Sequence, residues 1–337
     1  MSNFKGGYGI IRPFKKTTIT DQVRNKRKMN TKHLVTVACA AAFCGGVWAA
    51  DNANAAVEVE EESTSLSDYV SVEAGLAFDS KWMYYGLVDN NDPIMTPSAC
   101  ITFFDWVFVG VDAIFDLTPY GRKKIDGERT YTNRGGRYTE LDPYVGIAHA
   151  FTPEDCELLP TTIELSLDYC YEYHPKSMGR AKGSWGEPSQ FVTLEVGLPD
   201  LWLEPTFMYE RDIDRDNGTY LNLELGHTFS LIDGETEEDD PILALRPSVS
   251  QGFGNGKRVY LYDDDDEYLD HAGLMDTCIK LELIWNFCEY LSLSGYVAYS
   301  DFLFDRQIRD AARNYEAHGR WDESYNFIGG VALNFAF

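Results

Sequence analysis

The chain has 337 residues, a formal charge of −25, and 14% aromatic residues, among them 21 Tyr and 19 Phe. A chain this acidic repels phosphate backbones and attracts cations, so nucleic-acid binding is not expected. Aromatic enrichment on a polar average, with mean hydropathy −0.31, fits strands with two unlike faces, and the lack of an apolar run of about twenty residues excludes a helical membrane protein.

The longest apolar run, Leu34 to Ala50, follows Lys26, Arg27, Lys28 and Lys32. A positive stretch, a modest apolar stretch and small-x-small sites ending at Ala49 and Ala55 describe a secretory signal. Residues 1–55 are therefore expected to be an upstream extension plus signal peptide, removed on export, with the signal proper beginning at Met29. Nine of the 29 Lys/Arg and one of the 54 Asp/Glu lie within residues 1–50, so the remainder carries 20 basic and 53 acidic residues, about −33. Cys100, Cys156, Cys170, Cys278 and Cys288 remain, an odd set without a Cys-x-x-Cys pair, which signals neither a disulfide framework nor a zinc ribbon. Residues 56–68, rich in Glu and free of aromatics until Tyr69, are expected to be an acidic flexible leader.

From Tyr69 onward, segments of about ten residues with alternating polarity recur. They predict twelve strands near 69–79, 94–104, 106–117, 137–151, 161–173, 189–199, 201–211, 219–230, 241–251, 273–287, 290–301 and 325–337. Short and long connections between them take turns, the long ones falling at 80–93, 118–136, 174–188, 252–272 and 302–324, with 212–218 a shorter member of that set. This rhythm predicts an all-β fold over 69–337: a closed antiparallel up-and-down transmembrane β-barrel of about twelve strands, with short periplasmic turns and long extracellular loops. A secreted β-sandwich is the competing architecture, because periodicity alone does not separate lipid from a dry core. Pro143, Pro205 and Pro247 fall inside proposed strands, so at least one of these strands is expected to be bent, bulged or shifted.

The segment at 161–173 sets Ile163, Leu165, Leu167, Tyr169, Tyr171 and Tyr173 against Glu164, Ser166, Asp168, Cys170 and Glu172. An ionised group facing hydrocarbon is penalised by roughly 2–4 kcal/mol for a cation at mid-bilayer and less for an acid, so the carboxylate face belongs to a wet lumen. Extending this parity gives the candidate pore lining: Glu73, Asp112, Asp116, Glu140, Asp142, Glu164, Asp168, Glu172, Glu195, Glu204, Glu210, Glu224, Asp276 and Glu282, opposed by Arg246 and Lys280 alone. Large aromatics such as Trp106, Phe151, Phe229, Trp285 and Phe337 cluster near strand ends, as interfacial girdles do. His149 and His227 fall on the apolar face and read as interfacial.

Two acidic loops approach metal-binding patterns. In Asp212 to Gly218, "DIDRDNG", the glycine comes one residue late for a calcium loop and Leu223 sits at the twelfth position, so a hairpin turn is expected. Tyr262 to Glu267, "YDDDDE", reads as a solvated loop. No His-x-Ser, Gly-x-Ser-x-Gly, Walker, Rossmann or His-Glu-x-x-His pattern occurs, so no enzyme, resident metal or cofactor is expected.

The stretch "SKWMYYGLVDNNDPIMTPSACITFF", Ser80 to Phe104, resembles the opening of the bacterial TorF-like porin family in Ser80, Lys81, Trp82, Tyr84, Tyr85, Gly86, Leu87, Asp92 and Pro93. That family usually has Arg immediately before the Gly, where this chain has Tyr85. The closing "NFAF", with Phe335 and Phe337 on the apolar face, looks like the C-terminal signal that outer-membrane barrels present to the barrel assembly machinery. The resemblance implies a barrel in the bacterial outer membrane that passes small solutes. The acidic lining adds a cation preference to that expectation. A structural or adhesive barrel without an open pore, and a secreted sandwich binding glycans or cations, are the alternatives. Outer-membrane lipid and small solutes or cations are the expected partners, and oligomeric state is left open.

Overall fold

A computed structural model describes residues 69–90, 92–117, 121–125, 128–132, 137–156, 158–173, 188–214, 217–234, 240–255, 269, 271–313 and 324–337. The expected signal and leader, residues 1–68, and the Tyr262–Glu267 run lie outside the described residues.

The strands are, in chain order, β1 (Val70–Asp79), β2 (Trp82–Tyr84), β3 (Leu87–Asn90), β4 (Ile94–Phe103), β5 (Val107–Asp116), β6 (Gly121–Ile125), β7 (Glu128–Thr132), β8 (Arg137–Phe151), β9 (Ile163–Glu172), β10 (Ser189–Gly197), β11 (Thr206–Asp212), β12 (Thr219–Gly226), β13 (Phe229–Ile232), β14 (Leu243–Asn255), β15 (Ala272–Cys288), β16 (Leu291–Asp301) and β17 (Tyr325–Ala336). Among the described residues one helix, α1 (Arg306–Arg313), lies between β16 and β17. The main sheet runs β12-β11-β10-β9-β8-β5-β4-β1-β17-β16-β15-β14-β13, where the short β13 pairs with β14 beyond the end of β12, and β12 also pairs with β14. Every neighbour is antiparallel, so twelve strands close into one up-and-down barrel, as the alternating polarity predicts. A two-sheet sandwich is thereby replaced: the two ends of the sheet meet where β12 pairs with β14.

Closure uses the final strand. Phe337 N–H donates to Val72 C=O at 2.9 Å and Val72 N–H returns to Phe337 C=O at 3.0 Å. Both ends of the barrel chain lie at one rim, with the tight connections. Between β4 and β5, Phe104 and Asp105 both take positive φ (54° and 59°) and Trp106 N–H reaches Phe103 C=O, a two-residue turn whose twist matches the flanking strands. The strand ends that the long connections join, such as Asp116, Arg137, Glu172 and Ser189, lie at the other rim.

The prolines act as expected of residues that cannot complete a ladder. Pro205 lies outside a strand: β11 begins at Thr206 rather than near 201, and residues 201–205 lengthen the preceding turn. Pro247 sits within β14 opposite the gap between β12 and β13. There His227 N–H donates to Pro247 C=O at 3.2 Å, and Pro247 has no N–H to return the bond. The single strand expected at 219–230 is therefore two. Pro143 stays in register with Val111, near a bulge at Ile114/Phe115.

Residues 80–93 differ from the expected outer loop. They form a hairpin, β2–β3, that turns into the barrel: Trp82, Met83, Tyr85, Leu87 and Val88 are all buried. Five large side chains of this kind in one connection are poorly placed in water, and burying them inside the cylinder removes that exposure. The turn needs positive φ at both Tyr85 (43°) and Gly86 (86°). A Cβ on Gly86 would collide with Asp276 and sit 2.9 Å from the Phe302 ring, so the Tyr-Gly pair allows the close approach.

Candidate functional site: the barrel lumen

Exposure separates the two faces. Ile279, Leu281, Leu283, Trp285 and Phe287 of β15 are all exposed, as are Val107, Val109 and Val111 of β5 and Val145 and Ile147 of β8. Asp276, Cys278, Lys280 and Glu282 occupy the alternate positions of β15, facing inward. The outer surface is thus an apolar band, and the polar parity lines the interior.

The sixteen lining residues expected from the sequence fall into two zones. In the half nearer the short turns, Glu73, Glu164, Glu195, Glu204, Glu224, Lys280 and Glu282 are half-buried, and Arg246 is buried. Here the two cations sit among carboxylates. Arg246 Nη1 lies 2.6 Å from Glu224 Oε1, Arg246 Nε lies 3.6 Å from Glu204 Oε2, and Lys280 Nζ lies 3.5 Å from Glu282 Oε2. Glu204 reaches this group from the lengthened turn. At φ 40° it turns inward, accepts the Thr228 N–H at 2.9 Å and lies 3.5 Å from His227 Nδ1. Gly226 leaves room for the guanidinium, since a Cβ there would sit 2.9 Å from Arg246 Nη2.

In the half nearer the long loops the carboxylates are covered. Asp142 is 0% exposed, and Asp116, Glu140, Asp168, Glu172 and Asp276 are buried as well. Asp112 and Glu210 are half-buried. Asp112 stands directly across from Asp142, and Glu172 across from Ser189. Each of these carboxylates except Asp276 makes further interactions, and Asp276 accepts from Tyr220 Oη at 2.7 Å. Ser189 Oγ donates to Asp212 Oδ2 at 2.6 Å. Sequence parity alone missed Asp212, because it was assigned to a loop; here it ends β11, fully buried. Among the described residues no group of three or more His, Cys, Asp or Glu is arranged to hold a metal ion.

The rest of this half is apolar. Trp82, Tyr85 and Leu87 of the hairpin pack with Ile94, Ile114, Tyr220, Met275 and Phe302 and with Ile308, Ala311 and Ala312 of α1. Ile94 and Ile114 share the inward parity of the acids, so polarity alone did not distinguish wall from plug. Buried large residues flanking "YG" were the signal that could have found the hairpin.

Outside, His149 stacks on Trp106 at 3.9 Å and meets Phe151 edge-on, while His227 lies between Trp202 and Phe229. Both histidines therefore belong to aromatic groups at the short-turn rim.

No protein-family model matches the chain, and no curated protein matches it in sequence. Among solved structures it is similar to the COG4313 outer membrane channel from Pseudomonas putida F1 (TM-score 0.41, 10% identity, covering 83% of this chain and 100% of that one). It is also similar to LpxR from Salmonella typhimurium (TM-score 0.35, 7% identity, 79% and 99% covered) and to an anion-selective porin from Comamonas acidovorans (TM-score 0.28, 9% identity, 80% and 98% covered).

Proposed function

We propose that this protein is an outer-membrane channel of porin type that passes small solutes and prefers cations. The observation that carries the reading is the opposition of faces on one closed cylinder. Exposed Ile, Leu, Val and Phe form its outside, while Asp116, Glu140, Asp142, Asp168, Glu172, Asp276 and Arg246 are buried on the other face. Only a hydrocarbon surround makes such an exterior favourable, and an acid-rich interior concentrates cations. The N-terminal 55 residues supply export to the periplasm, and Phe335 and Phe337 supply the mark read by the assembly machinery. Membership of the TorF-like porins rests on Ser80 to Phe104 alone.

The test is reconstitution of the processed chain in planar bilayers under a salt gradient. A reversal potential of the sign given by cation selectivity is expected, together with a heat-dependent gel shift of the protein in the outer-membrane fraction. Anion preference would overturn the selectivity. A chain that washes free of the envelope would overturn the whole reading.

A second reading, a structural barrel without an open pore, is favoured by one observation: Asp142, Ile94, Met275 and Phe302 are all 0% exposed at the long-loop half. Absence of conductance from a folded, heat-modifiable barrel would select it.

A further inference from the structure

The β2–β3 hairpin leaves one wall of the barrel and is held at the opposite wall. Around the ring, β1 and β11 are separated by β4, β5, β8, β9 and β10 on one side and by β12, β14, β15, β16 and β17 on the other, so they face each other across the full diameter. The root of the hairpin is tied beside β1. Ser80 N–H donates to Gly329 C=O at 2.9 Å, Gly329 N–H returns to Ser80 Oγ at 3.1 Å, and Met83 and Val88 pack on Ile328. Its tip is tied at the far wall: Tyr85 Oη donates to Glu210 of β11, and the Tyr85 ring stacks on Tyr220 of β12 at 3.9 Å. The six residues from Ser80 to Tyr85 reach at most roughly 20 Å when extended, a span on the scale of the bore itself.

We propose that this hairpin is the constriction of the channel, a strut across the bore whose tip residue, Tyr85, limits the size of the solute that passes. This deepens the channel reading and rests on it. Two further features of the hairpin fit the role. Its Trp82, Tyr85 and Leu87 share one packed cluster with Ile94 of β4 and Ile114 of β5 on one side of the ring and with Tyr220 of β12 and Met275 of β15 on the other, so it does not lie against one wall alone. It is also closed by a two-residue turn at Tyr85–Gly86, the tightest connection a hairpin has, so the tip presents a narrow wedge instead of a broad loop.

The experiment uses the full processed chain with its native cysteines replaced by Ser. First, Tyr85→Cys and Glu210→Cys are introduced together and treated with a short bifunctional maleimide in the folded, heat-modifiable barrel. Efficient bridging is expected. Failure to bridge would overturn the strut and leave the channel reading untouched. Second, residues Trp82–Val88 are replaced by a short Gly-Ser turn, and single-channel conductance is compared with that of the parent. A several-fold increase is expected, with Tyr85→Ala giving a smaller one. A folded variant with parental conductance would overturn the constriction. Third, Tyr220→Cys is challenged with a charged, water-soluble thiol reagent, a readout independent of ion flow. It should react at least tenfold faster without the hairpin, and an unchanged rate would overturn the occlusion. If thiol access rises while neither form conducts, the strut stands and the channel reading falls.

Discussion

Phe108 of β5 and Tyr144 of β8 each lie across a glycine of the other's strand. The Phe108 ring covers Gly146 and the Tyr144 ring covers Gly110, with the two rings 6.0 Å apart and edge-on at 62°. Large inward side chains in a narrow barrel need such gaps, because rings stacked side by side on neighbouring strands would overfill the interior. A methyl group at Gly146 would meet the Phe108 ring and lie only 2.6 Å from Leu167 C=O; at Gly110 it would lie 2.7 Å from Ala99 C=O. Backbone cannot retreat as a side-chain tip can. Gly146→Ala and Gly110→Ala should each cost about 2 kcal/mol, the overpacking range. Gly295→Ala, whose nearest neighbour would be 3.7 Å away, should be near neutral. Urea unfolding of the barrel in phospholipid vesicles measures all three.

Arg246 offers a second test, because it holds Glu224 at 2.6 Å and Glu204 at 3.6 Å. Arg246→Met keeps much of the volume and leaves both carboxylates without that guanidinium. The loss expected is about 2 kcal/mol, the range for a charged hydrogen bond, since the Glu224 side chain is 28% exposed and water replaces part of it. Glu224→Gln combined with Arg246→Met should cost less than the sum of the single changes, by roughly 1 kcal/mol. Additive costs in the same unfolding assay would show that the pair is decorative.

How much of this was legible in the sequence follows from what each residue's neighbours require. The strand at 137–151 has the bounds predicted, because fifteen residues of period-two polarity admit one register against a lipid-facing neighbour. β11 was misplaced by five residues because Leu201, Trp202 and Leu203 are apolar and continue the strand pattern by type, although they sit in a turn at the rim. Aromatic and aliphatic residues are favoured there by the interface and not by pairing. Parity assigns the acids to one face, but it says nothing about height along the barrel or cover. It could not tell Glu224, open to the short-turn end, from Asp142, sealed beneath the long-loop end. The hairpin was missed for a related reason: a buried segment in the lumen has no periodic signature, since wall contacts surround it on all sides.

The exposed tryptophans report on the surroundings of the outer face. Trp106, Trp202 and Trp285 all lie at the short-turn rim and are exposed, whereas Trp82 is buried in the hairpin. Indole rings at that level belong to the headgroup boundary of a bilayer. In vesicles, lipids brominated near the glycerol should quench the fluorescence of these three more than lipids brominated at the chain ends. In a chain that also carries Trp185→Phe and Trp321→Phe, replacing all three with Phe should remove most of the quenchable signal and leave a protected component from Trp82. Equal quenching at both depths, or none at all, would place this rim away from the membrane interface.

The last prediction concerns α1, which closes part of the long-loop end. Asp305 caps it: Oδ1 accepts the N–H groups of Gln307 at 3.0 Å and Ile308 at 3.2 Å, and Oδ2 lies 2.7 Å from His271 Nε2. Partial burial pushes the Asp305 carboxyl upward, but the His271 hydrogen bond and the two N–H groups outweigh it, so its pKa lies below the ordinary carboxylate value. A depressed carboxylate contributes stability that is fully present above its unfolded pKa and is lost as pH falls through the folded one. The helix should therefore hold at neutral pH and loosen only in acid, below the range in which free carboxylates titrate. Asp305→Ala should reproduce the loosening at neutral pH, at a cost of about 1 kcal/mol to the helix, while Asp305→Asn should retain part of the cap. Trypsin reads this directly, because Arg306, Arg309 and Arg313 are all in α1. Cleavage there should accelerate in Asp305→Ala while the heat-dependent gel shift of the barrel persists. Unchanged cleavage would mean that the packing of Ile308, Ala311 and Ala312 against the hairpin core holds the helix without its cap.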